Sequence, residues 1–522
     1  VRIRSLAHLL DVLEARFLTR ENKGARFVAW NGNNFDVYLI ALALLRSSDY
    51  VLKPYLTRSK ALRGLKVIER GRAKPCSWEF LDAAAMTGLA GRSLDDFLAT
   101  FAPAYRKLDA PDWEREEFDP ANPEHVRYAE RDAEGLYHGL LEAARIVREI
   151  FGEELRPTIG NLGIRIFQAH LPANVEIWPV PFAVRKALRA SAMRGGYCWR
   201  ARRYEGPIWK YDLNQAYAAA MREAKLPAGR CFHSSFRLNP YASVYIARVT
   251  ANNDRNIVPF YVRTVEGESL YAVTEIPECW LTSIEVEQLR AEGWRIEIRE
   301  SYFWDDHFSA RELVDKLERL RASAPGGPNG ATGTMIKMIG NNAYGKTVEH
   351  LDGVEYVMAL ERPEGFSDYQ DGDGALPYIW YRLREPQFRE YHQPQIGAFI
   401  TSHVRMVIRR AILQAPDAWL YADTDCVVFD RPVALPIDPA RYGAFKIEEA
   451  GTEFWIIGKK VYASADGRVK HAKGMNVRKL SLDELRAWLR GQPPEQEQAQ
   501  RRNLLKVLAG EPMFTRLRKV GE

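Results

Sequence analysis

The chain has 522 residues, 46% of them hydrophobic, with 74 basic and 68 acidic side chains and a net charge of +6. That length allows about three to five units of roughly 100–200 residues each, and the hydrophobic content excludes a disordered chain. No stretch of about 18 apolar residues occurs, so no helical membrane span is expected, and no secretory signal opens the sequence. The five cysteines (76, 198, 231, 279, 426) form neither a C-x-x-C pair nor a disulfide framework, which fits a reducing cytoplasm. The mild basic excess permits a polyanion partner without requiring one. The first residue is Val1 rather than Met, which reads as a fragment or a processed form.

In chain order, Leu6, Leu9, Leu10, Leu13 and Phe17 recur at helical spacing and predict a helix over 1–20. Arg26 to Trp30 predicts a buried strand, which runs into the turn-rich Asn31-Gly32-Asn33-Asn34-Phe35-Asp36 and then a helix from Val37 to Leu45. Asp36 at the mouth of a strand-turn-helix is placed to bind a metal; taken alone, helix capping by Asn33 or Asn34 explains the segment more simply. Phe80-Leu81-Asp82 reads as a strand, and Arg92-Ser93-Leu94 as a helix start. A long helix is predicted from Pro123 to Glu149, with Tyr128 and Asp132 on one face at i, i+4.

Arg194-Gly195-Gly196 would let backbone approach a phosphate closely, although a plain turn accounts for it too. Ile208 to Asp212 predicts a strand ending in a carboxylate, followed by an Ala-rich helix through Met221 that carries Tyr217. Residues 222–305 alternate strand-like runs with turns and read as an accessory β-rich insertion. A helix over 310–321, the breaker Ala324 to Gly330, and a helix from Thr332 to about Thr347 follow. Lys337, Asn341 and Tyr344 share one stripe of that second helix, which is not a core pattern. Residues 350–392 read as a second insertion with a hairpin, and 393–415 as an apolar helix ending in Arg405, Arg409 and Arg410.

Next comes Tyr421-Ala422-Asp423-Thr424-Asp425-Cys426, a polar turn between apolar runs and so a strand-turn-strand. In extended backbone, Asp423 and Asp425 point the same way. Carboxylates held that close repel each other unless a cation sits between them, and hard oxygen donors suit Mg²⁺. Trp455 to Tyr462 reads as one strand projecting Lys460 and Tyr462 from one side, and 480–490 and 498–509 as helices of a small C-terminal unit.

Each of these pieces alone is weak, but their order resembles the family B DNA polymerases. Motif A is approximated by Asp212 to Met221, motif B by Lys337 to Gly345, motif C by Tyr421 to Cys426, and the Lys-x-Tyr element by Lys460-Val461-Tyr462. The two inserted segments make the chain look most like the compact protein-primed branch of phages and linear plasmids. The N-terminal third resembles that family's proofreading exonuclease, with Asn31 to Asp36 as its second motif and Tyr128-x-x-x-Asp132 as its third. Its first motif, a D-x-E, is missing. Asp112-Trp113-Glu114 has the letters but lies in a Pro-flanked loop between the other two motifs and is not a substitute. The polymerase motifs depart from the usual pattern at Gln215-Ala216-Tyr217-Ala218, Asn342, Cys426 and Met193.

The resemblance implies an α/β (α+β) multidomain fold: a ribonuclease-H-like exonuclease domain, then a right-hand palm, fingers and thumb with two insertions. The expected divisions are exonuclease-like 1–180, palm 181–260, β-rich insertion 261–307, fingers 308–349, second insertion 350–392, palm 393–475 and thumb 476–522. It implies catalysis by Asp212, Asp423 and Asp425, with two Mg²⁺ (Mn²⁺ as a substitute) held by Asp212, Asp425, Asp423 and the Leu213 carbonyl. Tyr217, Lys337, Asn341 and Tyr344 would hold the nucleotide; Lys460, Tyr462, Arg194, Gly195 and Gly196 the primer-template; Asn31, Phe35, Asp36, Tyr128 and Asp132 the exonuclease site. Implied partners are primer-template DNA, dNTPs and a terminal-protein primer, with a monomer acting in the cytoplasm of a bacterial or phage-infected cell. The competing expectation is a DNA-binding remnant of a polymerase that no longer catalyses.

Overall fold

The structure is a computed structural model that describes residues 3–56, 62–111, 118–235, 238–349, 353–370, 375–385, 389–501 and 514–520. Asp112-Trp113-Glu114 and Phe388 lie outside the described residues. Among the described residues, no helix is long and apolar enough to cross a membrane.

The N-terminal unit is built on a sheet in which Arg26–Ala29 runs parallel to Ser77–Asp82, followed antiparallel by Leu62–Glu69 and Tyr50–Leu56. Arg26–Ala29 is half-buried rather than buried, because it ends the sheet. Helix Leu94–Phe101 starts at a capping box formed by Ser93 and Asp96. Helix Pro123–Phe151 begins with proline in its first turn, capped by the Asn122 side chain, and stops at left-handed Gly152. These two helices touch closely: a Cβ on Gly139 would lie 2.5 Å from the Phe97 ring.

The second insertion is not a free-standing hairpin. Strands Val354–Met358, Ala375–Leu383 and Ser367–Gln370 extend the N-terminal sheet to seven strands, joined through Met358 opposite Leu52. Met358 and Ile379 are buried in the same core as Leu52, Leu65 and Trp78. Lys53 pairs with Glu355 across that junction, and Arg70 with Glu361 at 3.0 Å.

The centre of the chain is a seven-stranded antiparallel sheet, ordered Lys470–Ala472, Val461–Ser464, Phe445–Gly458, Tyr204–Leu213, Cys426–Phe429, Trp419–Thr424, Tyr197–Arg200. Helix Pro394–Leu413 lies buried behind it. The segment expected as one strand over 455–462 is two strands with a turn between them. Lys460 sits in that turn with φ +57°, so it and Tyr462 are not alternate residues of a single strand.

The first insertion is a second antiparallel sheet, ordered Glu275–Thr282, Tyr245–Asn252, Arg295–Phe308, Leu226–Ser234. Because Tyr245–Asn252 pairs with Glu275–Thr282, the boundary expected at 260/261 cuts through one sheet. Helices Arg311–Ala322 and Ala331–Thr347 pack together beside the central sheet. At the C-terminus, helix Leu482–Leu489 is present, but the helix expected over 498–509 is not. Gln496–Arg501 is a strand paired with Phe514–Val520, and 502–509 lie outside the described residues. Gln496 to Arg501 has good helix formers, and pairing with a distant strand overrides that preference.

One buried ion cluster ties insertion, sheet and helix together. Glu285, fully buried, accepts from Arg194 and from Arg405 Nε and Nη2 at 3.2 and 2.8 Å, and its other oxygen caps its own helix at Thr282. Arg405 also donates to the carbonyls of Arg194 and Gly195 at 2.8 and 3.0 Å. Removing the carboxylate would strand two guanidiniums in a dry interior. Glu285→Ala is expected to cost about 3–5 kcal/mol of stability, measured by urea denaturation, and Glu292→Ala, which removes the more solvent-edged partner of Arg409, less.

Candidate active site

The site forms where the central strand Tyr204–Leu213 meets the hairpin of Trp419–Thr424 and Cys426–Phe429. Antiparallel register sets Cys426 opposite both Asp212 and Asp423. The Leu213 N–H donates to the Asp425 carbonyl at 2.7 Å, and the Asp425 N–H to the Asp423 carbonyl at 2.7 Å. Three acidic residues far apart in sequence are thereby brought to one edge of the sheet.

The hairpin is tight because Thr424 takes a left-handed conformation, φ +62°. Gly196 of the neighbouring strand lies directly against it: a Cβ there would sit 2.7 Å from Thr424 Cα. The other side is fixed by Asn214, whose side-chain amide donates to the carbonyls of Pro439 and Arg441 at 3.1 and 3.2 Å. Gln215 then turns with φ +48° into helix Ala216–Glu223.

The three aspartates are not equivalent. Asp423 accepts the Lys460 ammonium on both oxygens, at 2.8 and 2.7 Å, and the Tyr421 hydroxyl at 3.1 Å. Asp212 meets Lys446 at 3.1 Å. Lys446 also reaches Glu448 at 3.1 Å, and Lys210 pairs with Glu448 at 2.8 Å. Burial would raise Glu448, but these two lysines outweigh it and hold its pKa low. Among the described residues no lysine or arginine pairs with Asp425. Burial first, and then the Asp212 charge, push its pKa up to about 6. Burial and Glu448 raise Asp212 as well, against Lys446.

Two adjoining carboxylates that resist ionising are a donor set for a hard divalent cation. Among the described residues no three carboxylate, imidazole or thiol groups converge on one point. That arrangement suits Mg²⁺, which takes one or two carboxylates and fills its remaining positions with water and substrate phosphate. Asp212 and Asp425 fit this role. Asp423 is neutralised by Lys460 and supports the pair.

Facing the carboxylates, Tyr217 stacks on Tyr344 with ring centroids 4.4 Å apart. Both phenols are pushed up in pKa by burial, and both feel the Asp425 charge. Lys337 and Asn341, on the same stripe of helix Ala331–Thr347, are half-exposed and have no partner among the described residues. Tyr462 stacks on His471 and lies 6.0 Å from the Tyr421 ring.

The glycine-rich segment departs from expectation. The Arg194 guanidinium is buried, bonded to Glu285 and to the carbonyls of Ser191 and Trp280 at 3.1 and 3.2 Å, so it is engaged inside the protein rather than offered to a phosphate. Gly196 serves the approach to Thr424. Only Gly195 has open space at its Cα. No local signal in the sequence separates a buried arginine from an exposed one here.

Of the expected exonuclease residues, Asp36 and Asp132 have different partners. Asp36 is raised in pKa by burial and by Asp82, whose carboxylate accepts the Asn31 and Asn33 N–H groups at 3.1 and 3.3 Å and caps Ala84 at 2.9 Å. Phe35 is exposed beside it. Asp132 instead pairs with Lys107 at 2.8 Å, and Lys107 lies 5.2 Å over the Tyr128 ring.

Sequence reasoning missed Asp82, Lys107, Lys210, Lys446 and Glu448. Lys446 and Glu448 alternate along a strand, a signal that period-two reading could have found.

With this geometry in hand, comparison with known proteins gives a consistent result. Residues 115–373 match the family model of DNA polymerase type B, organellar and viral. That match takes in Asp212 and Lys337 and stops short of the Asp423–Asp425 hairpin. A probable DNA polymerase of Neurospora intermedia is 22% identical over 391 residues, covering 69% of this chain and 39% of that protein. The DNA-directed DNA polymerase of Enterobacteria phage PRD1 is 27% identical over 344 residues, covering 62% of this chain and 58% of that protein. The chain thus matches less than two thirds of the length of either relative. Among solved structures, Phi29 DNA polymerase complexed with primer-template DNA and incoming nucleotide superposes with TM-score 0.72 at 16% identity, covering 98% of this chain and 92% of that chain. Its binary complex with primer-template DNA gives TM-score 0.68 at 17% identity. The middle of the chain, residues 115–373, thus matches the type B DNA polymerases, and the fold is like that of Phi29 DNA polymerase.

The raised pKa of Asp425 has a sign that can be checked. A carboxyl raised in the folded state binds its proton more tightly there than in the unfolded chain, so ionising it opposes folding. The penalty is absent below the ordinary carboxylate range, grows as pH climbs from there to about 6 and stays level above it. Asp425→Asn is therefore expected to stabilise the cation-free protein by roughly 1–2 kcal/mol at pH 7.5, after allowing for solvent screening, and by much less at pH 4. Thermal melts in EDTA at the two pH values measure this.

Proposed function

We propose that the chain is a template-directed DNA polymerase, transferring a nucleotidyl group from a dNTP to a primer 3′-hydroxyl or to the hydroxyl of a protein primer. The observation that carries this is the Asp212–Asp425 pair, left short of countercharge opposite the Tyr217–Tyr344 stack and the unpaired Lys337 and Asn341. Phosphoryl transfer asks a protein for positioning and charge neutralisation rather than covalent chemistry, and this arrangement offers both.

Two Mg²⁺ ions, or Mn²⁺ in their place, would be held by Asp212, Asp425 and the Leu213 carbonyl with Asp423 in support, lowering the pKa of the primer hydroxyl and neutralising the triphosphate and leaving pyrophosphate. Lys337 binds the triphosphate. Tyr217 underlies the sugar and leaves no room for a ribose 2′-hydroxyl, the group that distinguishes RNA precursors. Asn341 and Tyr344 line the nascent base pair. Lys460 keeps Asp423 oriented, and with Tyr462 it holds the primer end. Sequence is read by the template, so the protein's contacts are to backbone and shape.

Primer-template DNA and dNTPs are the partners of this reading, in the cytoplasm of a bacterial or phage-infected cell. A terminal protein is the further partner suggested by the relationship to phage polymerases, and the chain acts as a monomer. A catalytically silent DNA-binding remnant is not favoured, because it would have no use for two under-compensated carboxylates in one pocket. In the N-terminal domain, with the D-x-E pair missing from the sequence, Asp36 and Asp132 are the remaining metal ligands, and Asp132 is paired with Lys107, which supports at most weak 3′-5′ degradation.

Asp212→Asn and Asp425→Asn are each expected to lower primer extension in Mg²⁺ by about a thousandfold or more, while gel-shift affinity for the primer-template stays within about threefold. Asp423→Asn, which removes the partner of Lys460, is expected to lose about ten- to a hundredfold. Full extension by either of the first two variants would end this assignment.

A further inference from the structure

The helix that carries Lys337, Asn341 and Tyr344 has a second face, and that face rests on the N-terminal domain. Gly163, in helix Ile159–Ala169, lies so close that a Cβ would come 2.6 Å from the Ile339 carbonyl oxygen. Gly88, left-handed at φ +74°, lies so close to Met338 that a Cβ would come 2.8 Å from the Met338 Cβ. The buried Met335, Ile339 and Ala343 complete this face. The nucleotide-facing stripe and the domain-facing stripe are opposite sides of one rod.

At the tip of the rod is a polar fastening. The Arg92 guanidinium donates to the Asn329 carbonyl at 2.5 Å and to the Thr334 hydroxyl at 3.0 Å. Asn329 ends the Pro- and Gly-rich turn between the two finger helices, and Thr334 is in the first turn of the nucleotide-facing helix. Arg92 is itself firmly seated. Its N–H donates to the Leu89 carbonyl at 3.0 Å, its carbonyl accepts the Trp30 indole at 3.2 Å, and the next residue opens the capping box of helix Leu94–Phe101.

We infer that Arg92 is a positioning residue for nucleotide binding: it latches the fingers to the N-terminal domain and so sets the angle at which Lys337, Asn341 and Tyr344 meet an incoming nucleotide. The inference rests on the polymerase reading above. It makes the N-terminal domain a backstop for the nucleotide site, whatever its own activity. A rod held only by apolar contact can slide and roll on its packing face. Two directional hydrogen bonds at one end fix its rotation, as non-directional burial does not. Releasing them adds conformations in which the three side chains miss the triphosphate and the base pair, and apparent affinity falls by the fraction lost.

The experiment uses the full chain, with steady-state single-nucleotide incorporation on a fixed primer-template. Arg92→Ala is expected to raise the KM for dNTP about three- to tenfold, with kcat and primer-template Kd within twofold of the parent. Thr334→Val, which removes one acceptor and keeps the shape, should raise KM by less, and the double variant should match Arg92→Ala rather than exceed it. Hydrogen exchange across 325–340 should accelerate in Arg92→Ala in the absence of any substrate. Faster exchange with unchanged KM would overturn the inference, since Arg92 would then be structural only. A fall in kcat at constant KM, or strict additivity of the two substitutions, would overturn it as well. If the parent chain itself incorporates nothing, the polymerase reading fails first. Unchanged exchange in Arg92→Ala would then remove the latch independently.

Discussion

The register of one strand pair governs this molecule. With Cys426 opposite Asp212, the Leu213 N–H reaches the Asp425 carbonyl, and the Asp212 and Asp425 carboxylates share one half-dry pocket. Like charges brought that close repel, and the backbone ladder has to hold them there. The surroundings lighten the load unevenly. Four carboxylates meet three lysines: Lys460 answers Asp423, and Lys210 and Lys446 answer Glu448, with Lys446 shared with Asp212. Among the described residues no lysine or arginine answers Asp425, and burial, then the Asp212 charge, push its pKa up to about 6. The charge left over is what a cation and a triphosphate would complete.

Holding such a site demands stiffness behind it, and the structure supplies this from distant parts of the chain. Glu285, from the first insertion, binds Arg405 from the helix behind the sheet, and Arg405 binds the carbonyls just before Gly196. Gly196 in turn abuts the hairpin tip. The second insertion, separate in sequence, is continuous in space with the N-terminal sheet and shares its core. What the sequence presents as domains and interruptions the fold joins into a few shared layers, and a segment inserted late in the chain completes a layer begun early.

Much of this was legible beforehand, for reasons that are local. The strand before Asp212, the hairpin around Thr424 and the stripe of Lys337, Asn341 and Tyr344 each announce themselves within ten or so residues, through alternation, turn chemistry or helical spacing. Their order then carried the family resemblance. What escaped was non-local or fell below local resolution. Arg194 beside two glycines looks like a phosphate contact, and only Glu285 from far along the chain makes it a buried strut. Lys460 looked like a strand residue because nothing in Gly458-Lys459-Lys460 marks which residue takes the positive φ. Gln496 to Arg501 favours a helix until its partner strand is known. Around the expected exonuclease residues, the neighbours Asp82, beside Asp36, and Lys107, beside Asp132, come from other parts of the chain and carried no local signal.

The hairpin tip unites these themes. A left-handed threonine costs roughly 1–2 kcal/mol relative to glycine, so a glycine at 424 would relax the turn. The Thr424 hydroxyl, however, donates to Asp423 at 3.2 Å, and its Cα and side chain are what Gly196 packs against. Thr424→Gly would lose the hydroxyl bond and the side-chain part of the packing and free the turn to vary. The strained residue therefore sits between the two aspartates because it fixes their separation, and the neighbouring strand has given up its own side chain at 196 to let it. Backbone strain and charge repulsion are concentrated in the same few residues. Both are sustained by ordinary buried packing around them, and a cation at Asp212 and Asp425 would relieve the charge repulsion.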